Sequence, residues 1–139
     1  ISQISGGSRT SVGGYAETEL PENNSAQFDV SDTRTLDEVV NWLLELGYIP
    51  SFCTACYREG RMGDRFMSLV KSGQIANCCA PNALMTLKEY LEDYASADTR
   101  AKGEVLIQKE LKHIPNPKIK EIAARNLKEI IEGKRDFRF

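Results

Sequence analysis

The sequence lacks long apolar runs and has no excess of charge of either sign. Eighteen Lys and Arg residues balance twenty Asp and Glu residues, which gives a formal net charge of -2 over 139 residues. No apolar run approaches the roughly 18 residues that a membrane-spanning helix needs. A net charge this small creates no field that would attract nucleic acid or anionic lipid. We therefore expect neither a nucleic-acid partner nor a membrane partner.

A secretory signal is also missing, because the first dozen residues contain no basic segment followed by an apolar one. Hydrophobic residues make up 41% of the chain and charged residues 27%, which is typical of soluble globular proteins. We expect a cytoplasmic protein of about one domain. The first residue is Ile1 and not Met, which suggests a piece of a longer protein.

Cysteine is absent from most of the chain and is confined to one part of it. The four cysteines are Cys53, Cys56, Cys78 and Cys79. Disulfides usually join distant segments, and adjacent cysteines suit that purpose poorly. A C-x-x-C pair with a further thiol downstream is more typical of a metal or cluster site in a reducing compartment.

The number of ligands favours an iron-sulfur cluster over zinc. A closed zinc site needs four N or S ligands, but adjacent side chains such as those of Cys78 and Cys79 diverge in an extended segment. The only histidine, His113, fits the end of a helix or the surface better than a metal site. Three thiolates leave a 4Fe-4S cluster with one iron that can bind another ligand. A zinc site made by all four cysteines and a redox-active C-x-x-C pair remain alternatives.

Apolar spacing predicts a chain that is mainly helical from Thr35 onwards. Thr35 and Glu38 form a capping-box pattern before a helix that stops at Gly47. A short helix at 64–71 is expected to bury Phe66, Met67 and Val70. Further helices are predicted from Pro81 through Tyr94, from Thr99 to Lys112 with Gly103 as a weak point, and from Asn116 to just before Gly133.

The segments GYIPSFCTACYREGRMGDRFM and CAPNALMTLKEYLEDYAS resemble the C-terminal region of the HydG family, the radical S-adenosylmethionine tyrosine lyases that mature FeFe-hydrogenases. Cys53, Cys56 and Cys79 match the C-x2-C-x22-C pattern of that family. The opening ISQISGGSRTSVGGY resembles the last strand and following loop of the family's barrel. The resemblance implies a mainly α fold, in which residues 1–34 end a TIM-type barrel and connect it to a helical auxiliary-cluster domain at 35–139.

The resemblance also implies an activity. HydG enzymes cleave L-tyrosine to p-cresol and a fragment that becomes carbon monoxide and cyanide, which are assembled on iron as a precursor of the hydrogenase active site. Cys53, Cys56 and Cys79 would hold an auxiliary 4Fe-4S cluster, with a fifth iron beside it. S-adenosylmethionine and the radical 4Fe-4S cluster would belong to an N-terminal barrel, in the same or a separate chain, because the C-x3-C-x2-C loop is absent. Other hydrogenase maturation proteins are the implied partners.

Further residues are expected to lie near the substrate or the cluster. Ser5, Arg9 and Thr10 follow the predicted last strand, and the active sites of such barrels lie at the C-terminal ends of the strands. We expect these three residues to contact tyrosine or S-adenosylmethionine. Arg58 and Arg61 follow the first two cysteines and are expected to stabilise the negative charge of the cluster.

Two positions depart from the family pattern. Cys78 stands where the family often has an aromatic residue, and we interpret it as a packed thiol that is not a ligand. Met62 stands where a helix-capping Thr is usual, so the following helix should be weakly capped.

Overall fold

The structure is a computed structural model that describes Gly6, Gly7 and residues 34–139. Within this part, the chain forms six α-helices and no β-strand, which confirms the mainly helical fold. The helices are α1 Leu36–Glu45, α2 Ala55–Arg58, α3 Gly63–Lys71, α4 Ala76–Asp93, α5 Ala97–Lys112 and α6 Pro117–Ile131. None of these described helices is long and apolar enough to cross a membrane. The predicted barrel strand and Ser5, Arg9 and Thr10 lie outside the described residues.

Helix α1 begins at the predicted capping box. The Thr35 backbone N–H donates to Glu38 Oε2 at 2.7 Å, and the Glu38 N–H donates to Thr35 Oγ1 at 3.3 Å. Gly47 has a φ of +80°, and this left-handed conformation lets the chain leave the helix. Since α1 buries one face, which comprises Val39, Val40, Leu43 and Leu44, the chain reaches its first cysteine from a fixed helix.

Helix α4 is the centre of the core and packs against both α5 and α6. Its start differs from the prediction, because α4 begins at Ala76 and Pro81 lies inside it. The helix begins with a tight turn in which Cys78 N–H donates to Ile75 O at 3.2 Å. Pro81 has no N–H and cannot donate a helical backbone hydrogen bond, but its side chain is fully buried and contributes to packing. Cys78 and Cys79 therefore lie on a helix and not in an extended segment.

Helix α3 has the predicted position, but the predicted burial of its side chains is wrong. Phe66 is half-buried, while Met67 and Val70 are 47% and 38% exposed. None of the closely packed helix pairs in the described residues includes α3. As predicted, Met62 precedes α3 without a side-chain capping hydrogen bond. The apolar pattern thus identified a helix with one apolar face, but no described element covers that face.

The last helices follow their predicted boundaries. Asn116 caps α6 by accepting hydrogen bonds from the N–H groups of Lys118 and Ile119 at 3.0 and 3.3 Å. His113 ends α5 at an exposed position, with its ring 3.4 Å from Glu110. After Gly133 the chain returns across α4. We call residues 134–139 the return segment, and its two aromatic residues pack against the core.

Candidate metal centre

The first two cysteines form a compact hook, residues 53–56, between α1 and the one-turn helix α2. Cys53 precedes the helix and Cys56 is its second residue. The Ala55 N–H donates to Cys53 Sγ at 3.4 Å. Such a hydrogen bond stabilises negative charge on a ligating sulfur and tunes the group that the sulfur holds. Cys53 Sγ is thus a hydrogen-bond acceptor at the start of α2.

Cys79 comes from a different element, the first turn of α4, and is exposed. Its neighbour Cys78 is half-buried, and the Cys78 thiol donates to Ile75 O at 3.4 Å. Consecutive residues on a helix differ in direction by about 100°. Cys78 therefore has a backbone partner of its own, and its thiol also lies close enough to Cys79 to raise the pKa of that neighbour.

Electrostatics link the hook to α4. Burial of the sulfur raises the pKa of Cys79 to about 11, with further contributions from the charge and hydrogen bond of Cys78 and from the charges of Cys56 and Cys53. The other three thiols thus lie close enough to Cys79 to oppose its ionisation. A positive metal centre removes that repulsion, because ligand binding replaces the thiol protons with metal ions.

A single metal ion and a cluster make different demands on the spacing of the thiols. Across the described part of the chain, no three His, Cys, Asp or Glu side chains lie close enough together to hold one metal ion. A structural zinc ion needs four donors at about 2.0–2.3 Å from one point. In a cubane cluster each thiolate binds a different iron, so its sulfurs stand further apart. The two arrangements therefore differ in how far apart the sulfurs of Cys53, Cys56 and Cys79 must stand.

The two arginines after the hook bind the return segment. Arg58 donates to both carboxylate oxygens of Asp136, with a distance of 2.9 Å between Nη2 and Oδ2. The hydrogen bond and charge of Asp136 raise the pKa of Arg58. Arg61 Nη2 donates to the backbone oxygen of Phe139 at 2.8 Å, while its buried Nε has no hydrogen-bond partner among the described residues. Asp136 and Phe139 were not predicted as partners of these arginines, although the alternation of charged and aromatic residues in RDFRF was a signal.

The geometry can be compared with known proteins. No family model matches the chain, and no curated protein matches it. Among solved structures, the crystal structure of HydG, a maturase of the FeFe-hydrogenase, matches with 50% sequence identity and a TM-score of 0.90. The match covers 100% of this chain and 29% of that chain. This chain resembles HydG along its entire length.

The match to HydG confirms the resemblance that the cysteine pattern indicated. A TM-score of 0.90 shows that the described helices have the arrangement found in the matching part of HydG. The chain spans less than a third of HydG, which is consistent with the predicted C-terminal fragment. The division into residues 1–34 and 35–139 stays a prediction.

Proposed function

We propose that this chain is the auxiliary-cluster portion of a radical S-adenosylmethionine tyrosine lyase that matures FeFe-hydrogenase. In this proposal Cys53, Cys56 and Cys79 hold a 4Fe-4S cluster. The similarity to HydG, itself a maturase of that hydrogenase, supports the biological role. The observation that carries the cluster assignment is the thiol arrangement. Cys78 and both hook sulfurs raise the pKa of Cys79, and the Cys78 thiol also donates to Ile75 O of its own helix.

The protein's own contribution is to hold three ionised sulfurs in place. When bound, a cluster ligated by only three thiolates supplies one iron with an exchangeable position for carbon monoxide and cyanide. The Ala55 N–H donates to Cys53 Sγ at 3.4 Å and would orient this sulfur as a ligand. Cys79 has a raised pKa, so it must release a proton as it becomes a ligand. In this proposal Cys78 is not a ligand, and its thiol donates to Ile75 O at 3.4 Å.

The remaining parts of the reaction belong to the barrel. We propose that L-tyrosine, S-adenosylmethionine and the radical 4Fe-4S cluster bind there, with Ser5, Arg9 and Thr10 near them. The barrel stands in the same chain or in a separate one. The fifth iron would bind beside the auxiliary cluster, and the product would pass to other hydrogenase maturation proteins.

Metal and acid-labile sulfide analysis of the anaerobically purified chain tests the proposal, together with electron paramagnetic resonance after reduction. We expect about four or five irons and about four sulfides per chain, with the signal of a reduced 4Fe-4S cluster. Reconstitution with iron and sulfide should restore a preparation that has lost its cluster. One zinc ion per chain and no sulfide, even after reconstitution, would reject the proposal and support a structural zinc-binding interaction domain.

A further inference from the structure

The return segment connects the two elements that carry the cysteines. On one side it contacts α2 and the residues that directly follow α2. Besides the paired hydrogen bonds of Arg58 with Asp136, Arg138 Nε donates to Glu59 Oε1 at 3.0 Å and Arg61 donates to Phe139 O. Each of these contacts pairs a charged guanidinium with a carboxylate or a backbone oxygen, and such hydrogen bonds are strongly directional.

On its other side the same segment is bound to α4. The Phe139 N–H donates to Asn82 Oδ1 at 2.9 Å, and Asn82 Nδ2 lies 3.5 Å from Phe139 O. The Asp136 N–H donates to Glu89 Oε1 at 2.8 Å. Asn82 is only 2% exposed and lies one helical turn after Cys79. The segment therefore meets α4 close to its cysteine.

Helix α2 has few anchors of its own. It is a single turn, and its N-cap residue Thr54 makes no side-chain capping hydrogen bond. Ala55 is the only residue of α2 that is fully buried. Before the hook, Phe52 stacks on Tyr90 of α4 with ring centroids 5.1 Å apart. A one-turn helix is unstable without tertiary support, so the side after Cys56 depends on the return segment.

We infer that the return segment positions the hook relative to Cys79. Its Asp136 binds Arg58 of α2, and its Phe139 binds Asn82 of α4. This inference rests on the proposed function, because the distance between hook and α4 matters for a cluster that both of them ligate. Asp136 and Asn82 are positioning residues that act through the cysteines they hold in place. Substitution of a residue that orients a metal ligand commonly weakens metal binding.

The substitution Asp136→Asn provides a mild test. It removes the charge that pairs with Arg58 but keeps a residue type that tolerates the φ of +68° at this position. Asp98→Asn is the matched control, because Asp98 is also an exposed carboxylate, and its partners Lys102 of α5 and Asn41 of α1 are not in contact with the return segment. Both variants should fold and unfold like the original chain.

Two measurements on the intact chain distinguish the outcomes. In the cluster-loaded protein, we expect Asp136→Asn to lose iron to a chelator about 10-fold faster than Asp98→Asn, with an altered electron paramagnetic resonance spectrum. In the reduced, metal-free protein, we expect alkylation of Cys53 and Cys56 by iodoacetamide, followed by mass spectrometry, to be faster in Asp136→Asn. Equal iron loss, spectra and alkylation in the two variants would overturn the inference.

The proposed function can fail separately from this inference. If the original chain takes up no iron and sulfide, the cluster assignment is wrong. In that case the alkylation rates alone decide whether the segment positions the hook. If the original chain holds a cluster and Asp136→Asn matches the control in every measurement, the cluster assignment stands and the positioning role is rejected.

Discussion

The backbone of Gly103 in α5 lies directly against the side chain of Leu91 in α4. A Cβ atom at position 103 would stand 2.5 Å from Leu91 Cδ1 and 2.8 Å from Leu91 Cδ2. Leu91 is 1% exposed and is part of the central core. Glycine costs a helix about 1 kcal/mol relative to alanine, and here it permits a close approach of two helices.

Replacing Gly103 with Ala should therefore destabilise the protein. Overpacking of a filled core costs about 1–3 kcal/mol, which exceeds the gain in helix propensity. We expect denaturant unfolding to show a lower free energy of unfolding for Gly103→Ala. In a Leu91→Ala background, which removes the obstructing side chain, the same change should be neutral or stabilising. A loss of equal size in both backgrounds would contradict this explanation.

Substitutions at the N-caps of α1 and α3 should change helix stability in opposite directions. Thr35→Ala removes the side-chain oxygen that accepts the Glu38 N–H in the α1 capping box and should lower the free energy of unfolding by about 1 kcal/mol. Met62→Thr supplies α3 with the side-chain acceptor it lacks, at a residue whose backbone already has the extended conformation of an N-cap. We expect slower amide hydrogen exchange in α3, by a factor that corresponds to about 0.5–1 kcal/mol. Unchanged exchange would show that capping does not limit the stability of α3.

Asp37 should make the protein sensitive to acid. Burial raises the pKa of Asp37, but hydrogen bonds from Ser96, Thr99 and Tyr90 together outweigh it and hold the pKa below the ordinary value of 3.8. Stabilisation by a carboxylate with a depressed pKa is present above its unfolded pKa and is lost as the pH falls through the folded pKa. We therefore expect Asp37→Asn to be less stable than the original chain at pH 7.

The two proteins should become equally stable at low pH, because protonated Asp37 also lacks the charge. The test is the free energy of unfolding between pH 7 and pH 2, determined for both chains at constant ionic strength. The difference should shrink below about pH 4, and the slopes should differ by at most one proton. A difference that stays constant over this range would show that the carboxylate charge is not what stabilises this site.

The adjacent cysteines allow a closely matched test of ligand identity. Cys79→Ser, Cys53→Ser and Cys56→Ser should each lower the content of iron and sulfide, because a serine hydroxyl is a poor substitute for a soft thiolate. Cys78→Ser should retain both, since its hydroxyl can donate to Ile75 O as the thiol does. Iron, sulfide and electron paramagnetic resonance are measured on all four variants. Equal losses in Cys78→Ser and Cys79→Ser would show that Cys78 is also a ligand.

Local signals explain which parts of the fold could be predicted. The start of α1 follows from the Thr35 and Glu38 pair, and the start of α6 follows from Asn116 and Pro117. These features are determined by residues within one turn of each other. The start of α4 was misplaced because Pro81 is typical of a first helical turn, whereas burial in the core stabilises it further inside.

Long-range contacts could not be deduced from spacing. The apolar face of α3 indicated a helix but not whether another element covers it. Gly103 was recognised as a weak point, yet its contact with Leu91 depends on how α4 and α5 pack. For the site, the pattern of Cys53, Cys56 and Cys79 was readable in sequence. The partners of Arg58 and Arg61 were not, because each is separated from its partner by 78 residues.

That separation affects the order in which the region is completed during synthesis. A chain emerging from the ribosome exposes α2 and the start of α4 long before residues 136 and 139 exist. Arg58 and Arg61 lack these partners throughout that interval, although all four cysteines have already been made. The contacts that secure α2 form only after α3, α4, α5 and α6 have been translated, so this one-turn helix is among the last parts of the chain to become fixed.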